Sequence, residues 1–89
     1  MRAVVTVTGK DRKGIIAKIS AFLSEKGANI EDISQTILGE YFAMIMIVDV
    51  SSTQEELAKL AGECAELGKQ IGMSVYMQHE DIFNAMHNV

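Results

Sequence analysis

The spacing of apolar residues along the chain alternates between a period typical of strands and one typical of helices. A β-branched run over residues 2–8 predicts a first strand, which Gly9 ends. From Gly14 onward apolar residues recur every three or four positions, and Gly27 is a natural helix stop. The beginning of the chain therefore predicts a strand, a charged turn and an amphipathic helix.

Two further strands are predicted in the middle of the chain. Residues 29–38 alternate imperfectly between apolar and polar, Gly39 and Glu40 follow, and residues 41–50 are largely apolar. A tight turn joining two antiparallel strands fits this pattern best. The second of these strands is apolar on both faces, as expected of a central strand that is covered on both faces or that meets a partner chain.

The last third of the chain predicts a helix, a strand and a short helical tail. Residues 51–53 carry hydroxyls and precede Glu55 and Glu56, which predicts a capped helix start. An apolar stripe at helical spacing follows, formed by Leu57, Leu60, Cys64, Leu67 and Ile71. Residues 73–79 alternate as a last strand, and residues 81–89 have the apolar spacing of a short amphipathic helix.

This order of elements predicts one fold class. It is α+β, a ferredoxin-like βαββαβ sandwich in which two helices cover one face of a four-stranded antiparallel sheet, plus a short C-terminal helix. We expect a single domain over residues 1–79 and a helical tail over residues 80–89.

Size and composition point to self-association. A domain of 89 residues buries about two thirds or less of the surface that its unfolded chain exposes. With 48% hydrophobic residues, the chain has more apolar surface than so small a core easily hides. We therefore expect a homodimer.

Charge and cysteine content exclude several classes of partner. A net charge of -4 and a pI near 5.0 give no general electrostatic reason to bind nucleic acid or an anionic membrane surface. Cys64 is the single cysteine, so no intrachain disulfide forms, and its place on the apolar stripe predicts a buried packing residue. Without an apolar segment of about 20 residues or a leader, the chain is expected to be cytoplasmic and not to bind membranes.

The turn between the first strand and the first helix is the strongest candidate for chemistry. The first N–H groups of a helix lack intrahelical partners and carry partial positive charge, so a small carboxylate or phosphate could dock there. Asp11 has a rival role as a helix cap. Lys10, Arg12 and Lys13 are either a solvated surface or a cluster whose charge a bound anion would relieve. Gly14 either admits a ligand or simply shapes the turn.

Asn29 is the second candidate. Its amide could meet both the carboxylate and the amine of a zwitterion, or it could be a turn residue that tolerates left-handed geometry. The only histidines are His79 and His87, too few for a zinc site in one chain, so we expect no metal, no cofactor and no catalytic residue.

Three segments together resemble the ACT domain, a small regulatory module that commonly senses amino acids. They are residues 6–17, residues 27–30 and residues 39–44, and the resemblance extends over the chain as far as His79. Within that family the chain is most similar to stand-alone ACT proteins and to the ACT modules of glycine cleavage regulators.

The resemblance implies ligand capture at a subunit interface, by the loop after the first strand of one chain and facing residues of its neighbour. The implied contacts are Asp11, Arg12, Lys13, Gly14, Ile15, Asn29 and Ile30. Lys13 departs from the family pattern, because many ACT sequences carry proline immediately before the glycine. Proline would pre-set the first helical turn, so its absence bears on the rigidity of this loop.

The sequence supports two functional hypotheses. The leading hypothesis is a non-enzymatic regulatory module that senses an amino acid or a similar small anion and signals to a regulatory partner protein. The alternative is a protein interaction module that acts without a small molecule. Acylphosphatases share the predicted fold, but no phosphate loop pairs a suitable Arg with a catalytic Asn, so an enzyme is not expected.

Overall fold

The computed structural model describes residues 1–10 and 14–87. Its elements in chain order are β1 Arg2–Lys10, α1 Ile15–Glu25, β2 Asn29–Leu38, β3 Tyr41–Asp49, α2 Leu57–Gln70, β4 Ser74–His79 and α3 Glu80–His87. The predicted ferredoxin-like fold with an added C-terminal helix is confirmed. The division into a domain over 1–79 and a tail over 80–89 stays a prediction.

The four strands form one antiparallel sheet in the order β2-β3-β1-β4. The central position predicted for β3 is correct, since it pairs with β1 on one side and β2 on the other. A bulge between Ile30 and Asp32 shifts the register of β2 against β3. The outer edges of the sheet are therefore β2 and β4.

The core lies between one face of the sheet and helices α1 and α2. Alternate residues of each inner strand point into it, as a pleated strand requires. The largest fully buried side chains are Ile19, Leu23, Met44, Met46, Leu60, Val5, Val7, Val48 and Cys64. The stripe predicted for α2 faces this core, with Leu60 and Cys64 buried.

The predicted start of the second helix is wrong. The helix begins at Leu57, not at the hydroxyl-rich residues 51–53. The Thr53 hydroxyl donates to the Val50 carbonyl at 2.8 Å, so it stabilises a turn after β3 instead of capping a helix. Glu55 lies before the helix and binds the Lys26 ammonium at 2.8 Å.

Helix α3 lies against the sheet face opposite α1 and α2. It contacts β1 and β4, and Val4, whose side chain is on that face, is only 3% exposed. It begins at Glu80, one residue before the predicted start. No helix within residues 1–10 and 14–87 is long and apolar enough to cross a membrane.

Candidate functional site

Gly14 opens the first helix in a conformation that favours glycine. Its φ of 83° and ψ of 3° are left-handed, and it is exposed at the N-cap of α1. Its carbonyl accepts the Lys18 N–H at 3.0 Å, the first hydrogen bond of the helix. A Cβ at Gly14 would meet no atom of the described residues within 4 Å, so the space beside it is open.

The first turn of α1 is electrostatically suited to an anion. Glycine at the N-cap offers no side-chain oxygen, and the described part of this turn holds no acidic residue. Among the described residues no side chain caps the N–H groups that open the helix, and the positive end of its dipole favours an anion there. Asp11, Arg12 and Lys13, predicted to bind beside it, lie outside the described residues.

Two of the predicted contacts are packing residues as well. Ile15 is buried in the core, and Ile30 is half-buried against it. They anchor the start of α1 and the start of β2 to the sheet. Within one chain Ile15, only 3% exposed, therefore offers almost no surface to a ligand, and Ile30 offers part of its surface.

The structure separates Asn29 from Gly14 within one chain. Asn29 pairs with Asp49, which pairs with Arg2, so it lies at the end of the sheet where β1 begins. Gly14 follows the opposite end of β1. Between them α1 extends over 11 residues, which is about 16 Å of helix. One chain therefore does not bring the two candidates together.

Strand β2 is unusually exposed for a strand of a small domain. Every residue from 31 to 38 is exposed, on both faces, and no strand of the described residues pairs with its outer edge. On the side of the sheet that carries the helices, Ile33 is 39% and Ile37 is 56% exposed. Sequence reasoning missed this surface, although the imperfect alternation of β2 was its signal.

A cluster of charges ties α1 to α2 at the end away from Gly14. The Lys26 ammonium lies 2.8 Å from a Glu55 carboxylate oxygen and 3.1 Å from one of Glu63. Hydrogen bonds to these two carboxylates raise the pKa of Lys26. A hydrogen bond shared with Glu63, and then the bond from Lys26, lower the pKa of Glu55. The cluster is well explained as a structural link.

Cys64 is a packing residue in this fold. Its side chain is fully buried in the core, and that burial raises the pKa of its thiol to about 11. The reactive thiolate form is therefore scarce at neutral pH. This agrees with the prediction of a packing residue.

The comparison with known families decides which fold family this is. The ACT domain model matches residues 2–78, which span the sheet, α1 and α2. The chain belongs to the ACT domain family. The predicted resemblance is thereby confirmed.

Relatives of this ACT domain include proteins of the same length. A UPF0237 protein of Methanopyrus kandleri is 53% identical over 99% of this chain and 98% of its own length. The solved ACT domain protein of Streptococcus pneumoniae is 40% identical, with a TM-score of 0.83 and 98% of each chain covered. The chain is thus similar to stand-alone ACT proteins.

A third relative is larger. A protein described as a glycine cleavage system transcriptional repressor is 25% identical, with a TM-score of 0.75, over 86% of this chain and 44% of that protein. An ACT domain of this shape therefore also occurs as part of a longer regulator.

Proposed function

We propose that this ACT domain is a cytoplasmic regulatory module that binds an amino acid or a similar small anion at the interface of a homodimer. The observation that carries the proposal is the exposed left-handed Gly14 at the start of α1, at the end of the sheet where the edge strand β2 finishes. ACT domains are regulatory modules that bind small ligands, and this chain has the family's architecture. No catalytic step is part of the proposal.

A two-fold pairing of β2 with its copy would unite the separated candidates. Antiparallel pairing places the first residue of one strand beside the last residue of the other. Asn29 of one chain would then lie next to Leu38 of its partner, at the end of the sheet where the partner's α1 begins. The same pairing would give neighbours to Ile33 and Ile37 and would satisfy the free backbone groups of the edge.

The two halves of such a site suit a zwitterion. The N–H groups opening α1 would bind a carboxylate, and the Asn29 amide offers both a donor and an acceptor. Arg12 and Lys13 would add positive charge, and Asp11 would hold an amino group or cap the helix. Ile30 would offer an apolar contact beside Asn29, and Ile15 would support the start of α1 from the core.

Coupling to regulation follows from the shared site. A ligand that contacts both chains binds the dimer and not the separated chains, so it shifts the equilibrium towards the dimer. A regulatory partner protein that binds the dimer and the separated chains with different affinity would then respond to the ligand.

The first test is a thermal-shift screen of the free amino acids, followed by calorimetry of those that respond. A ligand at 100 times its Kd adds about 2.7 kcal/mol, a rise of roughly 10 °C or more for a domain of this size. Asn29→Ala should remove the response. Asn84→Ala, an exposed asparagine of α3, is the matched control and should keep it. If no amino acid changes the melting temperature at millimolar concentration, sensing of amino acids is refuted.

A mixing experiment tests whether two chains share the site. Gly14→Leu and Asn29→Ala each spoil every site in their own homodimers, but a mixed dimer retains one intact site. An equimolar mixture should therefore recover about a quarter of the wild-type binding capacity, by random pairing of an isologous dimer. A mixture that binds no better than the separate variants would place the site within one chain.

The exposure of β2 favours a second candidate function. An unpaired strand with exposed residues on both faces can accept an extended peptide as an additional strand. In that case the protein would recruit a partner without any small molecule. Absence of every ligand response, together with loss of partner binding in Ile37→Lys, would favour this function.

A further inference from the structure

The sheet face opposite α1 and α2, called here the open face, is rich in exposed apolar side chains. With the exposed side of α3 it presents Leu38, Tyr41, Ile45, Tyr76, Ile82 and Met86, each more than 40% exposed. The strand positions between them, such as Thr6, Thr8 and Gln78, are uncharged. This surface is distinct from both the start of α1 and the helix side of β2.

Charges of the open face lie towards its two ends, and most are paired within the chain; Asp32, in register with Ile47 near one end, has no cationic partner among the described residues. At one end Arg2 binds Glu80 at 2.7 Å and lies 3.9 Å from Glu31. At the other end Lys10 lies 3.9 Å from Glu40. A partner that covers the middle of the face therefore meets no uncompensated charge there, and recognition must rest on apolar area and shape.

The apolar area is of the size that a specific interface uses. The exposed parts of the six side chains amount to roughly 600 Å², taking about 170 Å² for a complete side chain of this size. The threonines and Gln78 between them bring the face towards the ~800 Å² that each partner contributes to a standard interface. Monomers rarely expose a contiguous apolar patch beyond a few hundred Å².

The open face is also complementary to itself in shape. Helix α3 forms a ridge over β1 and β4 at one corner, on which Ile82 and Met86 are exposed one helical turn apart. An apolar depression of about 190 Å³ occupies the opposite corner, with Leu38, Tyr41 and Ala43 in its lining. A two-fold axis lying diagonally between two such faces would place each ridge over the other copy's depression. The sheets would then cross near a right angle, one of the two usual arrangements.

We propose that a second copy of this chain covers the open face, with α3 as its central contact. A cavity of about 340 Å³ between α3 and the sheet, lined by Ile45, Tyr76, Phe83 and Met86 among others, would be closed by the same contact. The proposal goes beyond the ligand site, because it concerns a different surface. With β2 pairing as a second two-fold contact, closed assembly gives a tetramer of about 39 kDa from chains of 9.7 kDa.

The test places a single charge on each surface and measures the mass by native mass spectrometry and light scattering. Tyr76→Lys and Met86→Lys put a lysine in the open face, and Ile37→Lys puts one on the helix side of β2. Ala58→Lys, on the exposed side of α2, is the control for an added charge. Far-UV circular dichroism of each variant checks the fold.

The proposal predicts that both open-face lysines halve the assembly mass at micromolar concentration, whereas Ala58→Lys keeps the wild-type mass. Tyr76→Phe, which retains the apolar ring, should also keep it. The ligand response should survive in the open-face variants, so their dissociation is distinguishable from failure of the proposed function. A wild-type mass that neither open-face lysine changes would overturn the proposal. Under that outcome, saturable binding of an apolar dye would assign the cavity to a small apolar ligand.

Discussion

Gly68 in α2 lies where the helix packs closely against β4. A Cβ at this buried glycine would lie 2.6 Å from Val75 Cγ2 and 2.9 Å from the Met73 carbonyl oxygen. The Met73 N–H also donates to the Gly68 carbonyl at 2.8 Å, so the chain after the helix is held close to it. We therefore predict that Gly68→Ala destabilises the domain.

The magnitude is the difference between two opposing effects. Alanine is favoured over glycine inside a helix by about 0.5–1 kcal/mol. Forcing a methyl group into a packed site costs typically 1–3 kcal/mol, and a backbone oxygen cannot move aside as a flexible side chain does. Gly68→Ala should lower the free energy of unfolding by about 1–2 kcal/mol, or roughly 4–16 °C in Tm.

Gly62 provides the matched control in the same helix. It is exposed, and a Cβ there would meet no described atom within 4 Å. Gly62→Ala should therefore stabilise the domain by about 0.5–1 kcal/mol, since only the helix preference changes. The two substitutions are chemically identical and should move stability in opposite directions.

Urea unfolding followed by far-UV circular dichroism measures both variants. The protomer concentration must be equal in every experiment, because assembly adds to apparent stability. We expect the urea concentration at the midpoint to change, while the slope of the unfolding free energy against urea concentration stays constant. Adding Val75→Ala to Gly68→Ala should cost less than Val75→Ala alone in the wild type, because it removes the contact with Val75 Cγ2, while those with the Cβ of residue 75 and the Met73 carbonyl oxygen remain. A midpoint for Gly68→Ala at or above that of the wild type would refute the packing argument.

Three further predictions concern charge, the thiol and backbone strain. Lys26→Gln should lower the urea midpoint near pH 7. Because the pKa of Glu55 is lowered from 4.5 and that of Lys26 is raised from 10.5, the difference from wild type should shrink as acid protonates Glu55 or as alkali deprotonates Lys26. A difference that does not change with pH would contradict this. Cys64 should react with a thiol reagent at pH 8 only as fast as the protein unfolds, since burial raises its pKa to about 11; immediate labelling of folded protein would contradict this. Gly14→Ala and Gly39→Ala should each destabilise by about 1–2 kcal/mol from left-handed strain alone, with only the former also weakening ligand binding in calorimetry.

Local pattern was sufficient for most of the elements. Helix α1 ends before Gly27, and β4 alternates between buried Val75 and exposed Tyr76, both as predicted from the sequence. These features follow from residue spacing and from glycine geometry, which depend on near neighbours only. The start of α2 was predicted wrongly because the Thr53 hydroxyl donates to the backbone carbonyls of Val50, at 2.8 Å, and Glu55, at 3.4 Å, instead of accepting from the first N–H groups of a helix.

Only the tertiary structure decided how the candidate residues are arranged in space. The sequence indicates that Gly14 and Asn29 are suited to a polar ligand, but within one chain they lie at opposite ends of the sheet, separated by a helix about 16 Å long. The exposure of the open face was likewise invisible to periodicity, since an apolar residue at a strand position gives the same pattern whether a helix covers it or not. Spacing determines which way a side chain points; the assembled sheet and helices determine what lies there to meet it.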